Sequence, residues 1–337
     1  MIAFIARLVR GESLTELEAS QAMETVMRGE ATPAQIAGFV IALRVKGETV
    51  DELTGFARTV RRVATPISAG DGLLDTCGTG GDGLGTFNIS TISAIVAAAC
   101  GARVAKHGNR AATSECGSAD VLEALGVRID LGPVAAALCL EETGITFLFA
   151  PVFHPSYRHA AVPRRELGVR TVFNVLGPLC NPAHASRQAL GVADAALAPL
   201  MADVLARLGV ERAIVFHAAD GMDELSTTGP SRVIEILNGE RHEYQLDPLE
   251  LGLPRAPVAA IRGGTAADNA RAVREVLGGA AGPRRDVVLL NSAAALRAAG
   301  LAADWREGLA LAAEAIDAGR SGELLVRWAS ISTDLAD

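Results

Sequence analysis

Leu73–Thr91 reads LLDTCGTGGDGLGTFNIST and runs straight into a small-residue, helix-forming stretch, ISAIVAAAC. Ordering a glycine costs about 0.5–1 kcal/mol relative to alanine. A loop holding Gly78, Gly80, Gly81, Gly83 and Gly85 therefore needs a reason, such as a ligand that must come close to the backbone. Gly78, Gly80 and Gly83 satisfy G-x-G-x-x-G, but the dinucleotide fingerprint also requires an apolar strand leading in and an acid about 20 residues on. Asp75 and Thr76 interrupt the apolar lead-in, and no acid occurs between Gly83 and Ser114. A nicotinamide site is set aside.

The missing acids carry information of their own. After Asp82 the next carboxylate is Glu115, and the gap holds Arg103, Lys106, His107 and Arg110 among hydroxyl and amide side chains. The chain as a whole is acidic, with formal charge -8 from 31 basic and 39 acidic residues. A cationic, hydroxyl-rich, glycine-rich zone set against that balance suits a phosphorylated ligand, held by loop amides, a helix N-terminus and Lys/Arg.

Working outward, 337 residues suggest about two domains. Composition is that of a globular protein, 50% hydrophobic and 21% charged. Only 4% of residues are aromatic, which offers few rings to stack on nucleic acid, and the negative charge argues against general nucleic-acid binding. The five cysteines are scattered with no C-x-x-C pair, so a zinc site is not expected and the thiols read as reduced, in a cytoplasm. The apolar start MIAFIARLVRG is short and carries Arg7 and Arg10, unlike a signal peptide, and no run reaches membrane-span length.

Residues 1–65 read as four helices. Ser13-x-x-Glu16, Thr32-x-x-Gln35 and Thr49-x-x-Glu52 fit capping boxes, Pro33 fits a first helical position, and Gly11, Gly29 and Gly47 fit helix stops. From about residue 70 short strands alternate with helices: RVAKHG, RIDL, ITFLFAP, QALGVAD, RAIVFHA and DVVLLN. The expected fold class is α/β, a small all-helical N-terminal domain plus a larger domain with a central, mostly parallel sheet. The helical domain spans 1–66 and is completed by about 164–184; the α/β domain takes 67–163 and 185–337. The loops DTCGTGGDG, KHGNR, APVFHP and HAADGMDE all fall at carboxyl ends of strands, where such folds bind ligands. In DGMDELS, Asp223 and Glu224 are adjacent; such a pair either sits in solvent or binds Mg²⁺, and a neighbouring diphosphate site favours the metal.

CGTGGDGLGTFNIST, KHGNRAATSECGSADVLEALGV, FAPVFHPSYRHAAVPRRELGVRTVFNVLGPLCNP and DGMDELSTTGP, taken together, resemble the anthranilate phosphoribosyltransferase family of tryptophan biosynthesis. The likeness runs in order over nearly the whole chain, with one departure at Glu115, where relatives often carry Lys or Arg. It implies transfer of a phosphoribosyl group from 5-phosphoribosyl 1-diphosphate to anthranilate. By this resemblance the sugar diphosphate lies across Gly78, Gly81, Asp82, Thr86, Asn88, Ile89, Ser90, Thr91, Lys106, His107, Gly108, Asn109, Arg110, Ala111, Ala112, Thr113, Ser114 and Ser118. Ser90, Asp223 and Glu224 hold Mg²⁺. Anthranilate meets Gly78, Asn109 and Arg164, with His107, His154 and Tyr157 lining its approach. His107, Asn109 and Arg164 are positioning residues rather than nucleophiles; the attacking arylamine is neutral at pH 7, so His107 serves as a base or as a hydrogen-bonding group. A homodimer through the helical domain is the expected assembly, with no nucleic-acid or membrane partner. Two other readings share parts of this pattern: a pyrimidine nucleoside phosphorylase, and a non-catalytic nucleic-acid-binding paralogue.

Overall fold

A computed structural model describes residues 1–111 and 115–336. The chain opens with four helices, α1 (Ile2–Val9), α2 (Glu16–Met27), α3 (Pro33–Lys46) and α4 (Val50–Val63). Alternation follows: β1 (Leu74–Gly78), α5 (Ile89–Ala99), β2 (Val104–Gly108), α6 (Ser118–Ala124), α7 (Pro133–Thr143), β3 (Ile145–Phe149), α8 (Ala150–Phe153). Then come α9 (Arg158–Leu167), α10 (Val172–Leu176), β4 (Arg187–Gly191), α11 (Leu197–Arg207), β5 (Arg212–Ala218), β6 (Ser231–Leu237) and β7 (Glu240–Leu246). Four helices close the chain, α12 (Ala266–Leu277), α13 (Pro283–Ala299), α14 (Trp305–Asp317) and α15 (Arg320–Asp334).

The seven strands form one sheet in the order β3-β2-β1-β4-β5-β6-β7. The first five are parallel, and β6 and β7 are antiparallel additions at one edge. Side chains alternate across the sheet as strand geometry requires. On β5, Ile214 and Phe216 join the core beneath α5 and α13, whereas Ala213 and Val215 join the core shared with α4 and α11. The helical unit therefore packs on one face of the sheet. Helices α9 and α10 pack on α2, α3 and α4, bringing Ala160, Val172, Phe173 and Leu176 into the same core.

Four sequence expectations change. The first capping box is built by Thr15 and Glu18, not by Ser13 and Glu16: the helix begins at Glu16, so the side chain able to reach its open amides belongs to residue 15, and the Thr15 hydroxyl accepts the Glu18 N–H. The boxes at Thr32 and Thr49 form as read. DVVLLN is not a strand but the first half of α13, a 17-residue helix that starts at Pro283 and is buried nearly all round. A short apolar run has no periodicity to separate a buried strand from a buried helix. RIDL, Arg128–Leu131, lies outside any strand, while β6 and β7 form a hairpin around Asn238 and Gly239, whose φ values of 50° and 84° suit a tight hairpin turn. Asp75 and Thr76 do not interrupt the strand before the glycine loop; both are buried inside β1.

Glu52 shows what holds the helical unit together. Its carboxylate accepts N–H bonds from Leu14 and Thr49, both at 2.9 Å, and meets Lys46 Nζ at 2.9 Å. The side chains of Glu52 and Lys46 are 0% and 7% exposed. Removing one member of a buried pair strands the other, at about 3–5 kcal/mol. Glu52→Ala should therefore lower the urea midpoint of the folded protein by a corresponding margin. Asp203→Ala, which breaks the exposed Arg241 pair, should stay within about 1 kcal/mol of the parent. Equal midpoints for the two variants would contradict the role given to Glu52.

Candidate functional site

The parallel strands β1, β2, β3 and β5 deliver their loops to one edge of the sheet, over a cleft of about 1220 Å³. α9, α10 and the segment between them form the opposite wall, with Arg164, Arg170 and Phe173. The loop after β5 crosses over β4 to reach β1. A Cβ on Gly191, at the end of β4, or on Gly78, at the end of β1, would overlap Asp223. Glycine at both strand ends is what lets Asp223 lie against the first loop, where its carboxylate accepts the Gly80 N–H at 2.6 Å. Glu224 accepts the Ser90 N–H at 3.0 Å, at the N-terminus of α5. Asn291 of α13 pins the backbone between them and the sheet, donating to the Leu225 carbonyl and accepting its N–H.

Electrostatics set this end of the cleft apart. Burial first, then the neighbouring Asp82, pushes the Asp223 carboxyl up to about 7. Burial and Asp223 push Glu224 up to about 8. Lys106 is buried on β2; its ammonium donates to the Thr76 carbonyl and lies 3.4 Å from Ser90 Oγ. Burial lowers its pKa, while Asp75 and Glu224 oppose that shift. Asp75 accepts bonds from the His107 N–H and from Asn181 Nδ2, at 3.2 and 2.8 Å.

The other end is a ladder of rings. Centroid separations are 5.0 Å for His107–His154, 5.7 Å for His154–Tyr157 and 5.8 Å for Tyr157–Phe173, all edge-on. Arg164 closes the ladder, its guanidinium 5.4 Å from the Phe173 ring centre. Burial lowers the Arg164 pKa, and no carboxylate pairs with it among the described residues. Burial followed by His154 holds His107 at about 3, and burial holds His154 at about 4, so both imidazoles are neutral at pH 7. His107 Nδ1 lies 3.2 Å from the Gly177 carbonyl, which makes it the protonated nitrogen and leaves Nε2 a free acceptor.

Every described residue selected from the sequence lines this cleft. Ala112, Thr113 and Ser114 lie outside the described residues. Two placements refine the reading. Arg110 is occupied: its guanidinium pairs with Asp120 at 3.0 Å and Glu123 at 2.8 Å. Asn88 does not cap α5; its amide bridges Asn269 and the Cys116 carbonyl, leaving the helix start facing Glu224. Sequence reasoning missed Asp75, Asn181, Arg170 and Asn291. A polar pair inside a strand pattern was a usable signal for Asp75; Asn181 and Asn291 carried none, since a buried asparagine is recognised only by what surrounds it.

The chain matches two family models in succession, the helical bundle domain of a glycosyl transferase family over residues 2–64 and the α/β domain of that family over residues 70–321. It is 62% identical to anthranilate phosphoribosyltransferase 2 of Streptomyces coelicolor over 325 residues, 96% of this chain and 97% of the relative. The crystal structure of anthranilate phosphoribosyltransferase from Thermus thermophilus superposes with a TM-score of 0.93 at 46% identity, covering 98% of this chain and 99% of the other. The Saccharomyces cerevisiae enzyme, in complex with phosphoribosyl diphosphate and Mg, gives 0.91 at 28% identity, covering 99% and 98%. With sequence, both domains and the whole fold in agreement, the chain belongs to the anthranilate phosphoribosyltransferase family.

Proposed function

We infer that this protein transfers the phosphoribosyl group of 5-phosphoribosyl 1-diphosphate to the amine of anthranilate, releasing diphosphate, in the second step of tryptophan synthesis from chorismate. One observation carries the reading. A single cleft joins a glycine loop and a buried acid pair at one end to neutral rings and an arginine at the other that has no carboxylate partner among the described residues. The two domains in this reading are the helical unit, 1–66 with about 164–184, and the α/β unit, 67–163 with 185–337.

Asp223, Glu224 and the Ser90 hydroxyl would hold Mg²⁺. The fit rests on the donors: hard oxygens, on two carboxylates whose burial and mutual repulsion a cation would relieve. Among the described residues no three His, Cys, Asp or Glu side chains are placed to hold a metal ion by themselves, so phosphate oxygens and water would have to complete the shell. Bound there, the ion would neutralise charge on the leaving diphosphate. Lys106 and the loop amides stabilise the same charge from the protein side. At the other end Arg164 takes the carboxylate of anthranilate, and His107 Nε2 accepts a bond from its amine. A group held near 3 does not keep an abstracted proton at pH 7, so His107 orients the amine and solvent receives the proton after C1–N formation.

Homodimerisation through the helical unit is part of this reading. The packed helices α1 and α3 leave Ile2, Val9 and Val45 exposed, an apolar strip suited to a second copy. Val9→Asp with Val45→Arg should shift the sedimentation coefficient to that of a monomer while the thermal midpoint of the chain stays measurable; an unchanged coefficient moves the interface elsewhere.

The acid pair gives a prediction with a readout besides activity. A carboxyl whose folded pKa is raised favours the native state below its unfolded value near 4, and that contribution is lost as pH rises through about 7 to 8. The metal-free protein should lose stability over that range, and Mg²⁺ should raise the melting temperature more at pH 8 than at pH 6. Asp223→Asn with Glu224→Gln should flatten both trends. It should weaken metal affinity by at least the roughly 10–100-fold that loss of one supporting hydrogen bond causes in such sites. An undiminished Mg²⁺ response in the folded double variant would remove the pair from the site.

The rings and arginine give another. Arg164→Ala deletes a charged hydrogen bond of about 1.5–3 kcal/mol, a rise of roughly 10- to 150-fold in the anthranilate KM. The KM for the sugar diphosphate should move much less, and Arg165→Ala, at an exposed position, should be silent for both. A larger effect from Arg165 would mean that the aromatic acid binds elsewhere.

A further inference from the structure

Arg170 stands directly before α10, in the wall that packs with the helical unit, and reaches across the cleft to the glycine loop. Its Nη2 donates to the Thr79 carbonyl at 3.2 Å. Gly81 has φ 76°, and a Cβ there would overlap the Arg170 guanidinium, so side chain and loop backbone are in direct contact. The base of the residue is fixed, because the Thr171 N–H donates to Asn174 Oδ1 at 2.9 Å. Among the described residues Arg170 has no carboxylate partner, whereas Arg110, on the other side of the cleft, is saturated by Asp120 and Glu123. A guanidinium carries five N–H donors, and among the described residues this one has a single protein acceptor, beside a loop whose Gly80 amide is already drawn toward Asp223.

We propose that Arg170 is a diphosphate-binding residue: it grips the leaving group from the helical side of the cleft and so ties occupancy of the glycine loop to the position of α10. This rests on the phosphoribosyl-transfer reading. Bidentate contact with phosphate oxygens is what a planar guanidinium does better than an ammonium. The bond to the Thr79 carbonyl is one that an anion, a stronger acceptor, would replace. As the C1–O bond breaks and its electron pair moves onto the diphosphate, the growing charge strengthens the contact, so the residue acts on departure as well as on binding.

Calorimetric titration of the full-length protein with inorganic diphosphate and with 5-phosphoribosyl 1-diphosphate, each with Mg²⁺, tests this. Arg170→Ala should weaken both by roughly 10- to 150-fold, the loss of one charged hydrogen-bonding group. It should lower kcat and leave the anthranilate KM unchanged; Arg170→Lys should recover part of the affinity. Unchanged diphosphate affinity in folded Arg170→Ala overturns the proposal, as does an equal rise in both substrates' KM values, which marks a structural clasp. Should the alanine variant fail to fold, full diphosphate affinity in Arg170→Lys, which keeps charge but not the fork, overturns it equally. If the parent protein binds neither diphosphate compound, the transfer reading falls and this inference with it; binding by the parent and an unaffected variant sink the inference alone.

Discussion

The buried ammonium of Lys106 is the constraint to which the phosphate end of the molecule answers. It lies 2% exposed in the middle of β2, an interior strand of the sheet. Moving such a charge out of water costs several kcal/mol unless its donors and its charge are met. The Thr76 carbonyl, on the adjacent strand β1, and the hydroxyl of Ser90, in the first turn of α5, meet its donors. Asp75 and Glu224 meet its charge. These groups come from β1, α5 and the loop after β5, so β1 and β2 must be neighbours, the start of α5 must lie over them, and the β5 loop must cross β4. The sheet order and the glycines at Gly78 and Gly191 supply those conditions.

The balance does not end in neutrality. Asp75, Asp223 and Glu224 stand against one ammonium, and burial raises the pKa of all three acids. At pH 7 protons on Asp223 and Glu224 take up much of that excess; a divalent ion that displaced them would attract a diphosphate. The glycine loop has the same two-sided character, its Gly80 amide held by Asp223 and its Thr79 carbonyl by Arg170. Each hold is a hydrogen bond that a phosphate oxygen or a metal would compete for.

What was legible in the sequence follows from how local each cause is. Caps at Thr32 and Thr49 are decided within four residues and were readable; the cap at Thr15 was misplaced because Ser13 fits the same spacing. The glycine loop and the acid-free interval point to a phosphate site because they are anomalies against the composition of the chain itself. DVVLLN was misread because only its neighbours, α5 and α14, reveal a helix buried on both sides. Asp75 looked like an interruption because a strand buried on both faces is expected to be apolar; only the distant Lys106 and Asn181 make an acid stable there. Arg110 and Arg170 show the same limit. Sequence favoured the arginine inside the motif, and tertiary structure gave that one two carboxylates and the other none among the described residues.

The aromatic end obeys the opposite rule, and the contrast explains the chemistry. A neutral amine needs alignment rather than deprotonation, and a polar charged pocket would solvate it instead of aiming it. The ring ladder keeps two imidazoles neutral by burial, and its single charge, on Arg164, lies against Phe173 at the far end. The ladder starts on β2 with His107 and finishes on α10 with Phe173, so its geometry depends on how the two packing units meet. Asn181 stands where the chain returns from α10 toward β4, and its amide donates to both Asp75 and the Ala105 carbonyl at 2.8 Å. The segment after α10 is thereby joined by one buried amide to the carboxylate beside Lys106.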